Sequence, residues 1–110
     1  MSQAPDEEFL SQQGTILKQL ANALIEATPE WWTEATLELE MGDEGCGHVI
    51  SSAAHPADIV TPTDALFAQT FALQDLFEAK SKLFKKAVIR VFREDHDGQE
   101  SWKFKVEYTY

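Results

Sequence analysis

Apolar residues recur at three- and four-residue steps through Phe9, Leu10, Ile16, Leu17, Leu20, Ala21, Leu24 and Ile25, a spacing that predicts an amphipathic helix over about residues 7–27. Asp6 is placed to cap it, Glu7 and Glu8 fall at the positive end of its dipole, and Thr28-Pro29 disfavours its continuation. Gly14 lowers its propensity by roughly 1 kcal/mol relative to alanine, so fraying is expected in the first turns. From Trp32 the period falls to two. Ala35, Leu37, Leu39 and Met41 then alternate with Glu34, Thr36, Glu38 and Glu40, the pattern of a half-buried strand. Gly42-Asp43-Glu44-Gly45 reads as a turn, and Gly47 to Ala53 as a shorter returning strand that completes an antiparallel hairpin.

Pro56 and Pro62 bracket a loop, after which Thr63 is placed to cap a second helix carrying Leu66, Phe67, Thr70, Phe71, Leu73, Leu76 and Phe77 and closing near Lys80 to Lys82. Phe84 to Glu94 is rich in strand formers, and Asp95-His96-Asp97-Gly98 signals a turn. Trp102, Phe104, Val106, Tyr108 and Tyr110 then occupy every second position, which makes the last strand the clearest element of the chain. The predicted order is α-β-β-α-β-β. An antiparallel four-stranded sheet with two helices on one face buries all these stripes most simply, so the fold class is α+β.

With 110 residues, 44% of them hydrophobic, the chain suits one domain spanning 1–110, with residues 1–6 expected as a flexible leader. Such a domain has little volume left for a large enclosed cofactor cavity beside its core. One cysteine, Cys46, allows no intramolecular disulfide. The N-terminal segment has no export signal pattern, and no apolar run approaches the roughly 18 residues of a membrane span, so a cytoplasmic location is expected. Phosphate-binding glycine loops, zinc-protease motifs and paired cysteines are not found in the sequence.

The formal net charge of -10 disfavours nucleic acid and anionic membranes and favours a basic partner. It is unevenly spread: residues 1–60 hold eleven acids and one base, 1 - 11 = -10, whereas residues 61–110 hold eight of each. Bases cluster at Lys80, Lys82, Lys85, Lys86, Arg90 and Arg93, so a strong dipole accompanies the net charge. Glu34, Glu38, Glu40, Asp43 and Glu44 are therefore candidates for an acidic strand-and-turn surface that docks into a basic cleft. The bland alternative is a solvated face whose carboxylates pair with Lys103 and Lys105 across strands at about 0.2 to 1 kcal/mol each.

Cys46, His48 and His55 supply soft and imidazole donors, but their spacing offers no fourth zinc ligand except Asp43, Glu44 or Asp58 and matches no closed zinc arrangement, so no metal or cofactor is expected. A Cys46 nucleophile beside His48 or His55 has no evident oxyanion donor beyond Gly47. Glu38 and Glu40 would stand roughly 7 Å apart on one strand face, a separation glycosidases use, yet without the cleft that chemistry needs. No catalytic residues are assigned, and no enzyme is expected. Trp32 and Trp102 are expected beneath the helices. Trp31 has two readings, a seal at the helix-strand corner or an exposed interface anchor.

Two fourteen-residue segments carry a family resemblance: Ala27-Thr28-Pro29-Glu30-Trp31-Trp32-Thr33-Glu34-Ala35-Thr36-Leu37-Glu38-Leu39-Glu40, and Asp97-Gly98-Gln99-Glu100-Ser101-Trp102-Lys103-Phe104-Lys105-Val106-Glu107-Tyr108-Thr109-Tyr110. In these segments and in element order the chain resembles the YezG-like immunity family of bacterial toxin systems. The stretch from Gly42 to Thr63 departs from that family's pattern by being shorter and less aromatic. The resemblance implies a small cytoplasmic antitoxin that binds a cognate toxin, often a nuclease, and blocks it. It implies fold-defining roles for Pro29, Trp31, Trp32, Trp102 and Tyr108. The rival expectation is a general interaction module, for instance a homodimer formed by edge-strand pairing.

Overall fold

The computed structural model describes residues 4–42, 45–81 and 83–110. Its elements are α1 (Ala4–Ala27), β1 (Glu34–Gly42), β2 (Gly45–Ser51), α2 (Asp64–Ala79), β3 (Lys86–His96) and β4 (Gln99–Thr109), the predicted α-β-β-α-β-β order. The strands form one antiparallel sheet in the order β2-β1-β3-β4, so β1 and β3 are central and β2 and β4 are the edges.

Element ends differ from expectation for identifiable reasons. Helix α1 begins at Ala4, which places Asp6 inside it rather than at its cap. Pro5 is accommodated in the first turn, where its missing N–H has no intrahelical partner to lose. Thr63 caps α2 as expected, its Oγ1 accepting from the Leu66 N–H at 3.2 Å. Strand β1 starts at Glu34, not at Trp32, because the chain first turns and the Trp32 N–H donates to the Pro29 carbonyl at 3.1 Å. Strand β2 runs from Gly45 to Ser51, two residues ahead of its expected place. The last hairpin is tighter than the four-residue turn expected. His96 pairs with Gln99, leaving only Asp97 (φ 52°) and Gly98 (φ 80°) as the loop. Two positive φ values match the type I′ turn that follows strand twist, which explains why Asp-Gly stands there.

One face of the sheet is covered. Leu17, Leu20 and Leu24 of α1 and Leu66, Leu73 and Phe77 of α2 are buried with Leu37, Leu39, Ile89 and Val91 of the central strands. Each such side chain contributes about 1.5–3 kcal/mol by leaving water. Phe77 links the layers at the β4 side, edge-on to Phe9 at 5.2 Å and to Phe84 at 5.1 Å, with Tyr108 at 4.9 Å. The Tyr108 hydroxyl donates to Gln13 of α1 at 2.8 Å, and burial pushes its ionisation upward.

The opposite face has no layer over it among the described residues. It carries Glu34, Thr36, Glu38 and Glu40 of β1, Val49 of β2, and the alternate residues of β3 and β4 that pair with them. The expected pairing of β1 carboxylates with Lys103 and Lys105 does not occur, because β3 lies between β1 and β4. Lys86 of β3 takes that part instead, its Nζ 3.0 Å from Glu38 Oε1.

Candidate partner-binding surface

The two adjacent tryptophans separate at the turn before β1. Trp32 is 1% exposed and closes the core, whereas Trp31 is 66% exposed. Both indoles nevertheless converge on one acceptor: Trp32 Nε1 donates to Asp58 Oδ2 at 3.0 Å and Trp31 Nε1 to the same oxygen at 3.4 Å. His55 stacks parallel on Trp32, with ring centroids 6.0 Å apart, and its Nδ1 lies 3.9 Å from Asp58. The two indole donors, Trp32 first, hold the Asp58 carboxyl below its usual range. Asp58 thus holds the buried Trp32 indole and offers the exposed Trp31 indole a second, longer contact. Next to it in sequence Ile59 is 93% exposed, and Glu30 beside Trp31 is also exposed.

Glu34 has an internal task. Its carboxylate accepts from the hydroxyl of Ser52, which is 3% exposed, and from the N–H groups of Ala53 and Ala54 at 3.4 Å. Glu34 and Asp58 thus tie the β2–α2 connection to the start of β1 from two sides. Glu38 is committed to Lys86, and Glu40 is exposed toward the far end of the strand. Asp43 and Glu44 lie outside the described residues. Glu34 and Glu40 are six residues apart, about 20 Å along β1. The expected site residues consequently fall into two groups, Trp31 with Glu34 at one end and Glu38 with Glu40 along the open face.

Compared with protein-family models and with curated proteins, the chain matches none of them.

The remaining candidates for chemistry are engaged elsewhere. His48 lies on the covered face, with Nδ1 3.1 Å from the Cys46 carbonyl and Nε2 3.0 Å from Thr70 Oγ1 of α2. The Thr70 hydroxyl also lies 3.1 Å from the Leu66 carbonyl, and its single proton serves either that carbonyl or the bare Nε2 of a neutral His48 whose Nδ1–H is donated to Cys46. Burial lowers the affinity of His48 for a proton and pushes the Cys46 thiol up, so at neutral pH the first is an uncharged imidazole and the second a thiol. His55 belongs to the Trp32–Asp58 cluster instead, and no three metal-ligating side chains converge among the described residues. Glu38 and Glu40 stand on an open sheet face without an enclosing cleft, one of them ion-paired.

Ile59 carries no signal in the sequence, and Asp58 and His55, candidates there only for metal or nucleophile chemistry, instead form a cluster with the two tryptophans. Asp58 is an isolated acid between Pro56 and Pro62, and pattern analysis has no means of joining it to tryptophans 26 and 27 positions away.

Proposed function

We propose that the protein is a non-enzymatic immunity protein that binds a cognate basic toxin domain, such as a nuclease, and blocks it by steric cover and charge complementarity. The observation that supports this reading most is Trp31, a 66% exposed indole beside the Asp58 carboxylate. Large exposed aromatic rings make strong interface anchors, because they carry much contact area on only two side-chain torsions. Glu30 beside such an anchor and the acidic excess of residues 1–60 suit a basic partner and speed its approach. The YezG-like pattern at residues 27–40 and 97–110 supports the same reading. The rival class is a general interaction or homodimeric module without a toxin.

The test is capture of the partner from the native cytoplasm at low and high salt, followed by an assay of that partner's activity with and without this chain. The expected result is one stoichiometric basic protein, released as salt rises, whose activity the chain abolishes. Trp31→Ala should then weaken binding by about 2 kcal/mol, roughly 30-fold in Kd. Reversal of Glu38 and Glu40 to Lys should slow association and flatten its salt dependence. A captured protein whose activity is untouched, or whose affinity ignores Trp31→Ala, would refute the proposal.

A further inference from the structure

The inner residues of the central strands are sealed: Ala35, Leu37 and Leu39 of β1 and Ala87, Ile89 and Val91 of β3 are at most 1% exposed. Their counterparts on edge strand β4 are not. Trp102, Phe104, Val106 and Tyr108 are only half-buried, although they lie on the same face. Beside them a groove of about 360 Å³ separates β4 from α1, with Ala21, Ile25, Trp102 and Phe104 as its apolar lining. Tyr110, at the end of this row, is 63% exposed. A long edge strand therefore carries an unfinished apolar stripe.

The hydrogen-bonding phase of that edge follows from the ladder. Met41 N–H donates to the Lys85 carbonyl at 2.8 Å and Arg93 N–H to the Thr33 carbonyl at 2.9 Å, so odd-numbered residues of β3 bond to β1. Antiparallel strands alternate, so even residues of β3 face β4, and the register gives them odd-numbered partners there. The backbone groups of Trp102, Phe104, Val106 and Tyr108 are left pointing outward, in phase with the half-buried stripe.

We propose that β4 pairs antiparallel with β4 of a second copy, on a two-fold axis at Val106, to give a continuous eight-stranded sheet. Charge selects both the occupant and the register. Residues 99–109 hold two acids and two bases, 2 - 2 = 0, so this edge is neutral in a chain of charge -10. With Val106 opposite Val106, each Lys105 faces Glu107 of the other copy on the open face, twice by symmetry, and Lys103 faces Thr109. On the covered face Phe104 meets Tyr108, and Tyr110 comes beside Trp102 at the groove. A shift of two residues sets Lys105 against Lys105 in one direction and Glu107 against Glu107 in the other. A shift of one exchanges the two faces. Lys103 and Lys105, which on an edge discourage indiscriminate pairing, thus admit this register and oppose its neighbours.

Sedimentation equilibrium over a wide concentration range tests the inference with the full chain. The mass should rise with concentration from 12.4 kDa toward twice that value. Lys105→Glu should weaken the dimer by about tenfold or more, since two attractive cross-strand pairs become repulsive, and Glu107→Lys should do the same. The double swap Lys105→Glu with Glu107→Lys should restore it, an effect that mere loss of fold does not produce. A constant monomer mass, a dimer indifferent to either reversal, or a double swap no better than the single variants would overturn the proposal. The outcome does not depend on whether a toxin partner exists, so this reading and the immunity reading stand or fall separately.

Discussion

Truncating Glu34 to Ala separates an anchoring role from a partner-binding one. The side chain accepts from the buried Ser52 hydroxyl and from the Ala53 and Ala54 amides, both at 3.4 Å. Loss of the carboxylate leaves Ser52, 3% exposed, without its acceptor, and an unpaired buried hydroxyl costs about 1–3 kcal/mol. The two long amide contacts add little, so about 2 kcal/mol is expected in total. For 110 residues the unfolding entropy near the midpoint is about 0.23 kcal/mol/K, and the loss lowers Tm by about 9 °C. Glu34→Gln keeps an acceptor at the same place and should lose less than half as much. Glu40→Ala, on an exposed side chain of the same strand, should stay within about 0.5 kcal/mol of the parent. Urea denaturation with an unchanged m-value reads the stabilities. Faster hydrogen exchange at Ala53 and Ala54 in Glu34→Ala locates the damage in the β2–α2 connection. Should Glu34→Ala be no more destabilising than Glu40→Ala, the anchoring role is refuted and Glu34 returns to the partner surface.

Two pH dependences follow from the same geometry. The indoles of Trp32 and Trp31 hold the Asp58 pKa below its unfolded value, so its contribution is fully present above that value and is lost as acid takes the folded group through its own pKa. Tryptophan emission of the parent should therefore change on acidification below about pH 4, and Asp58→Ala should remove that step; an identical acid titration in the variant would exclude the linkage. Burial depresses the His48 pKa, so the unfolded chain takes up the proton first, and stability falls as pH drops from about 6.5 toward the folded pKa. His48→Gln should flatten that slope. Thr70→Val, which removes the hydroxyl 3.0 Å from His48 Nε2, should cost about 1 kcal/mol at pH 8, and an unaltered midpoint would show that the contact contributes nothing.

The periodic elements were legible because each has one buried face: α1 turns Leu17, Leu20 and Leu24 inward, and β1 turns Ala35, Leu37 and Leu39. Element ends were less legible. Trp32 continues the two-residue period into a segment that is already turning, since burial alone determines its position and the backbone there bonds to Pro29. Strand neighbours were not legible, because alternation specifies which face is buried but not which strand lies beside it. Alternation alone thus leaves Lys103 and Lys105 open as alternative partners for the β1 carboxylates, whereas in the sheet β3 and its Lys86 intervene. Of the candidate site, Trp31 and the acids were visible as residue types. The division of labour between them was not, because Glu34 and Glu40 are alike in pattern and differ only through a connection that folds back onto one of them.

Side-chain size along the covered face nonetheless carries a record of the sheet order. The central strands β1 and β3 present Ala35 and Ala87 on this face among larger residues, both at most 1% exposed. Edge strand β4 has no alanine on that face and presents Trp102, Phe104 and Tyr108, long enough to reach under the helices from the side. Reach has a cost, because a ring that extends from an edge is covered on one flank only, which accounts for the half-buried row along β4. The other edge carries smaller or polar side chains: β2 has seven residues, and on the covered face its Cys46 and His48 are half-buried and its Ile50 buried. The two edges thus stand differently toward a further strand. Pairing at β2 would join a short ladder that includes Gly45 and Gly47, whereas pairing at β4 would complete the burial of three aromatic rings already aligned for it.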